Sequence, residues 1–107
     1  MLLSEFIATQ STRLSEALER YWQQECTYKQ LCLVTWDIVE TWNKMTLDYS
    51  EHLSDQEQMF WYSLYQIQYL HKDELQHSEI VRLELHQALY CAQHNTRKPF
   101  HCVSMRP

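Results

Sequence analysis

The chain has 107 residues, of which 45% are hydrophobic and 21% are charged, and its formal net charge is −5. This length suits one domain, and the balanced composition argues against a disordered chain. No apolar run approaches the roughly 20 residues of a transmembrane helix, and the start Met-Leu-Leu-Ser-Glu lacks the basic segment of a signal peptide. We therefore predict a cytoplasmic domain that neither spans nor contacts a membrane.

The turn residues are scarce, because glycine is absent and proline occurs only at Pro99 and Pro107. Most hairpins need residues at positive φ, so a β-rich fold is disfavoured. Glycine-rich phosphate loops, dinucleotide fingerprints and nucleophile elbows are excluded for the same reason. The predicted fold class is all-α, a small antiparallel helical bundle of three to four helices.

Two helices are predicted in the first half of the chain. The first covers residues 4–26, with Ser4 as a possible N-cap and no glycine to mark its end. Thr27 and Gln30 have capping-box spacing, so a second helix follows over residues 28–45. Apolar residues recur at helical spacing in both helices: Leu3, Ile7, Leu14, Leu18 and Tyr21 in the first, and Leu31, Val34, Ile38, Trp42 and Met45 in the second. Trp36 lies at the edge of the second stripe and widens it. Residues 46–53 break the period and are predicted to be a loop.

A third helix is predicted to begin at Ser54, which forms a capping box with Glu57. One of its faces suits a core, through Phe60, Leu64, Ile67 and Leu70. The other side is also apolar and carries four aromatic residues, Trp61, Tyr62, Tyr65 and Tyr69. A monomer usually avoids so large an exposed aromatic patch, so these four residues are predicted to form an interface with a second subunit. Cover by the first helix or by residues 46–53 is the alternative within one chain.

A fourth helix is predicted from a capping box at Asp73 and Gln76 to about His94, and its continuity with the third is open. Its apolar stripe consists of Leu75, Val81, Leu85, Ala88, Leu89 and Ala92. Residues 1–96 form the predicted domain and have six Lys/Arg and fourteen Asp/Glu, a net charge of −8. Residues 97–107 contribute +3 and are predicted to be a flexible basic tail. An acidic body repels nucleic acid, so no nucleic-acid partner is expected.

Two groups of side chains have the spacing of metal ligands. His71, Glu74 and His77 include the Glu-x-x-His pattern of di-iron bundles, but the other helices offer no inward carboxylates to complete that site. The second group contains thiols and imidazoles, which zinc favours as ligands, at Cys91, His94, His101 and Cys102. The adjacent positions of His101 and Cys102 make joint tetrahedral ligation awkward. We therefore predict no metal and no cofactor, and expect the four cysteines, Cys26, Cys32, Cys91 and Cys102, to be reduced thiols.

The sequence has no motif that places a nucleophile beside a base and an oxyanion site. Because aromatic residues are enriched at interface centres, the surplus aromatic face favours a binding role over catalysis. The predicted function is a non-catalytic protein-interaction or regulatory module, a homodimer or a partner of another protein. The open alternatives are a metal- or cofactor-binding bundle and a small enzyme.

Overall fold

A computed structural model describes residues 3–45, 53–94 and 104–107 of the chain. These residues contain no β-strand and form five α-helices: α1 Leu3–Trp22, α2 Tyr28–Lys44, α3 Asp55–Tyr69, α4 Lys72–His77 and α5 Glu79–His94. The all-α fold class is therefore confirmed. Within the described ranges, every helix falls short of the length and apolar character that crossing a bilayer demands.

The helices pack as a bundle with antiparallel neighbours. On α3 and α5, Gln56 donates to the carbonyl of Ala92 at one end, and the Tyr62 hydroxyl donates to Glu84 nearer the other. The α1–α2, α2–α3 and α1–α5 pairs also run antiparallel. Because α2 and α5 each pack against both α1 and α3, they occupy opposite corners of the bundle.

One buried cluster joins the long helices. Leu31, Ile38, Leu64 and Leu85, which the helical spacing places in the core, are all at most 1% exposed. Burial of apolar side chains is the main stabilising contribution in a helical domain of this kind. The helical periodicity therefore identified the core side of α2, α3 and α5 correctly at these positions.

The end of α1 is a Schellman motif built without glycine. The Glu25 N–H donates to the Arg20 carbonyl at 2.8 Å, and the Gln24 N–H donates to the Tyr21 carbonyl at 3.0 Å. These bonds satisfy carbonyls that the helix leaves unpaired. The motif requires the left-handed region at Gln24, whose φ is 62°. Ser4, predicted to be a cap, lies inside α1 instead.

The predicted capping box at the start of α2 is confirmed. The Thr27 hydroxyl accepts from the Gln30 N–H at 3.1 Å, and the Gln30 side chain accepts from the Thr27 N–H at 2.8 Å. At the start of α3 the box is half formed, because Ser54 Oγ accepts from the Glu57 N–H at 3.1 Å while the Glu57 carboxylate bonds elsewhere.

The predicted fourth helix is divided into α4 and α5. Leu70 and His71 adopt extended conformations, which separates α3 from α4. Ser78 is extended as well, and its hydroxyl accepts from the Val81 N–H at 3.3 Å. A serine that bonds a backbone amide two or three residues on competes with helix continuation. The predicted loop at 46–53 lies outside the described residues except for Leu53, and the predicted tail lies outside them up to residue 103.

Candidate interaction sites

An aromatic row runs along α3 from the core to the surface. Trp61 is fully buried, and its ring centroid lies 5.0 Å from that of Trp42 on α2 and 4.7 Å from that of Phe60. Tyr65 stacks on Trp61 at 6.5 Å, and Tyr69 lies 6.4 Å beyond Tyr65. Residues four apart share one side of a helix, so the row is continuous. Its buried end therefore faces α2, and its other end reaches solvent at the last turn of α3.

The four residues predicted as an interface do not share one exposed face. Trp61 is buried by its own chain, and Trp42 on α2 packs against its ring. Tyr62 and Tyr65 are half-buried, whereas Tyr69 is 82% exposed. Desolvation, followed by the nearby Tyr69, raises the pKa of Tyr65 above its ordinary value of 10.0. Of the four, Tyr69 presents the most ring surface to a second molecule.

Residues 104–107 lie against the same side of α3. The Arg106 guanidinium donates from Nε to Glu57 Oε2 at 2.6 Å and from Nη2 to Glu57 Oε1 at 2.8 Å. The Tyr65 hydroxyl donates to the Met105 carbonyl at 3.0 Å. The part of the predicted tail that is described thus contacts the helix, and the flexibility of the tail stays a prediction.

Glu57 is a nearly buried carboxylate with three donors. Besides the two bonds from Arg106, its Oε2 atom accepts from Trp61 Nε1 at 3.0 Å. A carboxylate removed from water is costly unless it is paired and hydrogen-bonded, and here both oxygens are satisfied. Sequence reasoning assigned Glu57 to a cap and missed this pair, because Arg106 is 49 residues away along the chain.

Of the four candidate zinc ligands, the structure describes Cys91 and His94, and these two lie in different environments. Cys91 is buried, whereas His94 is exposed and its ring lies 4.3 Å from the ring of Tyr90. His101 and Cys102 lie outside the described residues. Within the described ranges, no group of three or more His, Cys, Asp or Glu side chains is placed to hold a metal ion, and no disulfide forms.

The second predicted cluster, at α4, is dispersed over an exposed surface. His71 is the N-cap of α4, and its Nδ1 atom accepts from the Asp73 N–H at 3.1 Å. Glu74 and His77 are both exposed. Because α4 ends at His77, Glu74 does not continue the apolar stripe of α5 that contains Leu85. The spacing reflects a short polar connection between two longer helices.

A cavity of about 270 Å³ lies where α1 meets α2, lined in part by Arg20, Glu25, Cys26 and Gln30. This volume is slightly below the roughly 300–1,000 Å³ of small-molecule sites. Burial raises the pKa of the Cys26 thiol; Arg20 opposes this rise and Glu25 adds to it. The cavity thus combines one charge of each sign with a protonated thiol, an arrangement that does not activate a nucleophile.

The outer face of α5 carries apolar residues that the sequence reasoning missed. Ile80, Leu83 and Tyr90 are exposed large apolar side chains, and Gln87, also exposed, lies between them. Their spacing of three, four and three residues is that of the a and d positions in a coiled-coil seam. The spacing was visible in the sequence, but the stronger Leu85 stripe on the opposite side of the helix obscured it.

A smaller exposed apolar pair lies on α2. Leu33 and Trp36 are one turn apart, and both point to solvent. The sequence analysis placed Trp36 on the edge of the buried stripe, and this placement was wrong because α1 and α3 cover only the opposite side of α2. The pair spans one helical turn, whereas the α5 stripe spans three.

No protein-family model matches this chain, and comparisons with curated proteins and with solved structures find no significant match either. The structural features that bear on function are the α5 stripe, the aromatic row on α3 and the Glu57–Arg106 pair.

Proposed function

We propose that this protein is a non-catalytic interaction module that self-associates by packing the outer face of α5 against α5 of a second copy. The observation that carries the proposal is the exposed seam of Ile80, Leu83 and Tyr90 on one side of α5. A helix with this spacing fits knobs into the holes of a facing helix. The other side of α5 packs into the core, so the seam faces away from its own bundle.

A second copy is a suitable partner because it carries the same seam. In a twofold arrangement the same patch meets itself, so each apolar residue of one α5 finds apolar partners on the other. Gln87 is the polar residue in the seam, and a single polar residue among apolar a and d positions helps to set the register of two helices.

The size of the seam indicates the strength of the association. A 16-residue helix is about 24 Å long, so the seam alone is smaller than the roughly 800 Å² per partner of a standard stable interface. We therefore expect dissociation in the micromolar range. Tyr69, the exposed end of the aromatic row, lies on α3 rather than on the seam and is a separate candidate surface.

A non-catalytic role is supported because, among the residues that the structure describes, the candidate catalytic or metal-binding groups lie apart. Cys91 is buried, His94 is exposed on the last turn of α5, and His71 caps α4. General acid–base or nucleophilic catalysis requires such groups within hydrogen-bonding reach of one another. A metal- or cofactor-binding bundle therefore has less support than an interaction module.

Analytical ultracentrifugation with single substitutions tests the proposal. Leu83 and Leu33 are both 59% exposed, but they lie on α5 and α2, so Leu83→Glu and Leu33→Glu form a matched pair. We expect a micromolar dimer of the wild type, a folded monomer of Leu83→Glu, and a dimer of Leu33→Glu. Tyr69→Glu, which perturbs the exposed aromatic surface on α3, is also expected to remain a dimer.

Each alternative result has a defined meaning. A wild-type chain that stays monomeric at several hundred micromolar refutes self-association. Loss of the dimer only in Leu33→Glu assigns the interface to α2, and loss only in Tyr69→Glu assigns it to the aromatic row. Circular dichroism of every variant separates loss of association from loss of folding.

A further inference from the structure

The Glu57 carboxylate is held in a geometry that suits a guanidinium group. Two bonds reach its two oxygens, from Nε and Nη2 of Arg106, and Trp61 Nε1 also donates to Oε2. A planar guanidinium can make both bonds at once, whereas a lysine ammonium is a point charge and cannot. The side chain of Glu57 is 2% exposed and that of Arg106 is 19% exposed. The arginine therefore reaches this carboxylate from the solvent side.

The bonds at this site do not depend on which chain supplies the arginine. Glu57 and Trp61 position the guanidinium, and the Tyr65 hydroxyl donates to the carbonyl of the residue before the arginine. These contacts therefore recognise an arginine side chain and the backbone carbonyl of the residue before it. The side chain of Met105 extends into solvent, so it does not contribute to this recognition.

Charge favours the same kind of ligand. Residues 1–96 have a net charge of −8, and residues 97–107 have a net charge of +3. An acidic body attracts basic segments at long range, whether they belong to the same molecule or to another. The described residues 104–107 are one such segment, and they show that an arginine fits the site.

We propose that the Glu57 pocket is a guanidinium-binding site that Arg106 occupies within the chain, and that an arginine-bearing segment of a partner protein takes it by displacing Arg106. The partner must compete with a ligand that belongs to the same chain, and tethering of this kind gives effective concentrations on the order of millimolar. It gains further contact area on the exposed Tyr69 ring, next along the aromatic row. This interaction uses a different surface from the α5 seam and stands independently of self-association.

Chemical rescue tests the site in the full-length chain. The substitution Arg106→Ala removes the atoms beyond Cβ, and N-ethylguanidinium replaces them in size and charge. Propylammonium is the control cation, because it has a similar size and the same charge but lacks the planar guanidinium group that donates two bonds at once. We expect Arg106→Ala to lower the thermal midpoint, and N-ethylguanidinium at millimolar concentration to restore at least half of the loss with saturation. Propylammonium should restore less than a fifth. Lys44→Ala, which opens the exposed pair with Glu40, should respond to neither cation.

A peptide experiment tests the partner class. Acetylated Ser-Met-Arg-Pro, the sequence of residues 104–107, is titrated into Arg106→Ala, and binding is followed by the indole N–H resonance of Trp61. We expect at least tenfold weaker binding when lysine replaces arginine in the peptide. We expect no preference for arginine in the Glu57→Gln/Arg106→Ala chain.

The outcomes decide the proposal in each case. Equal rescue by both cations, or no rescue of a folded Arg106→Ala chain, overturns it. If Arg106→Ala does not fold, Arg106→Lys retains the charge and takes its place in the peptide titration. An arginine peptide that binds Arg106→Lys no more tightly than a lysine peptide then overturns the proposal equally.

Discussion

The pairing of Glu57 with Arg106 predicts a large loss of stability when the arginine is removed. In Arg106→Met the side chain keeps its approximate length, but the carboxylate, 2% exposed, loses its cation. Breaking a buried pair on one side costs about 3–5 kcal/mol. Because Arg106 is 19% exposed, water can partly replace it, so we expect about 3 kcal/mol of the free energy of unfolding to be lost. For a domain of this size, that corresponds to a thermal midpoint lower by about 12 °C.

The reverse substitution should cost less. In Glu57→Gln the side-chain amide oxygen can still accept from Trp61, and Arg106 can turn toward solvent, so the expected loss is about 1–2 kcal/mol. In the double variant Glu57→Gln/Arg106→Met the uncompensated charge is gone. We expect its loss of unfolding free energy to be smaller than the sum of the two single losses by about 2 kcal/mol. This difference is the coupling energy of the pair.

Urea unfolding at pH 7, followed by circular dichroism at 222 nm, measures all four free energies. Lys44→Met is the control, because its pair with Glu40 has side chains 73% and 64% exposed and should be worth less than about 0.5 kcal/mol. An Arg106→Met chain as stable as the wild type to within about 0.5 kcal/mol, or single losses that simply add in the double variant, would show that Glu57 and Arg106 are not energetically coupled.

Three further predictions follow from the fold. Glycine tolerates the left-handed conformation of residue 24, so Gln24→Gly should raise the free energy of unfolding by about 0.5–1 kcal/mol in urea titrations. A variant less stable than the wild type would contradict the Schellman geometry. Trp61→Ala should lose about 3–5 kcal/mol, whereas Tyr69→Ala should change less than about 0.5 kcal/mol, and equal effects in urea titrations would contradict the burial of Trp61. Burial raises the pKa of Tyr65, so its folded form holds a proton that the unfolded form releases near pH 10. The contribution of Tyr65 to the free energy of unfolding is therefore fully present below about pH 10 and is lost as the pH rises toward the folded pKa. Urea midpoints should fall between about pH 9 and 11, and Tyr65→Phe should reduce that fall.

The local features of this chain follow from the amino-acid sequence alone. Apolar residues at helical spacing, such as Leu31 and Ile38 seven positions apart, share one side of a helix, so their burial could be predicted without knowledge of the neighbouring helix. The Thr27–Gln30 capping box depends on residues three apart, and it too was predictable. Periodicity and capping are properties of the helix itself, which is why the helical class and the helix starts near residues 28 and 55 were predicted correctly.

The tertiary structure decided which surfaces are buried and which are left for binding. Trp61 could have faced a second subunit, and α2 covers it instead, because a helix with apolar residues on two sides does not reveal which neighbour lies where. For the same reason, the sequence did not reveal that α5 has a second, exposed apolar stripe at Leu83 in addition to the buried stripe that contains Leu85. Arg106 finds Glu57 across 49 residues. Such a contact depends on how the helices pack, whereas sequence spacing reports only on residues that share a helix.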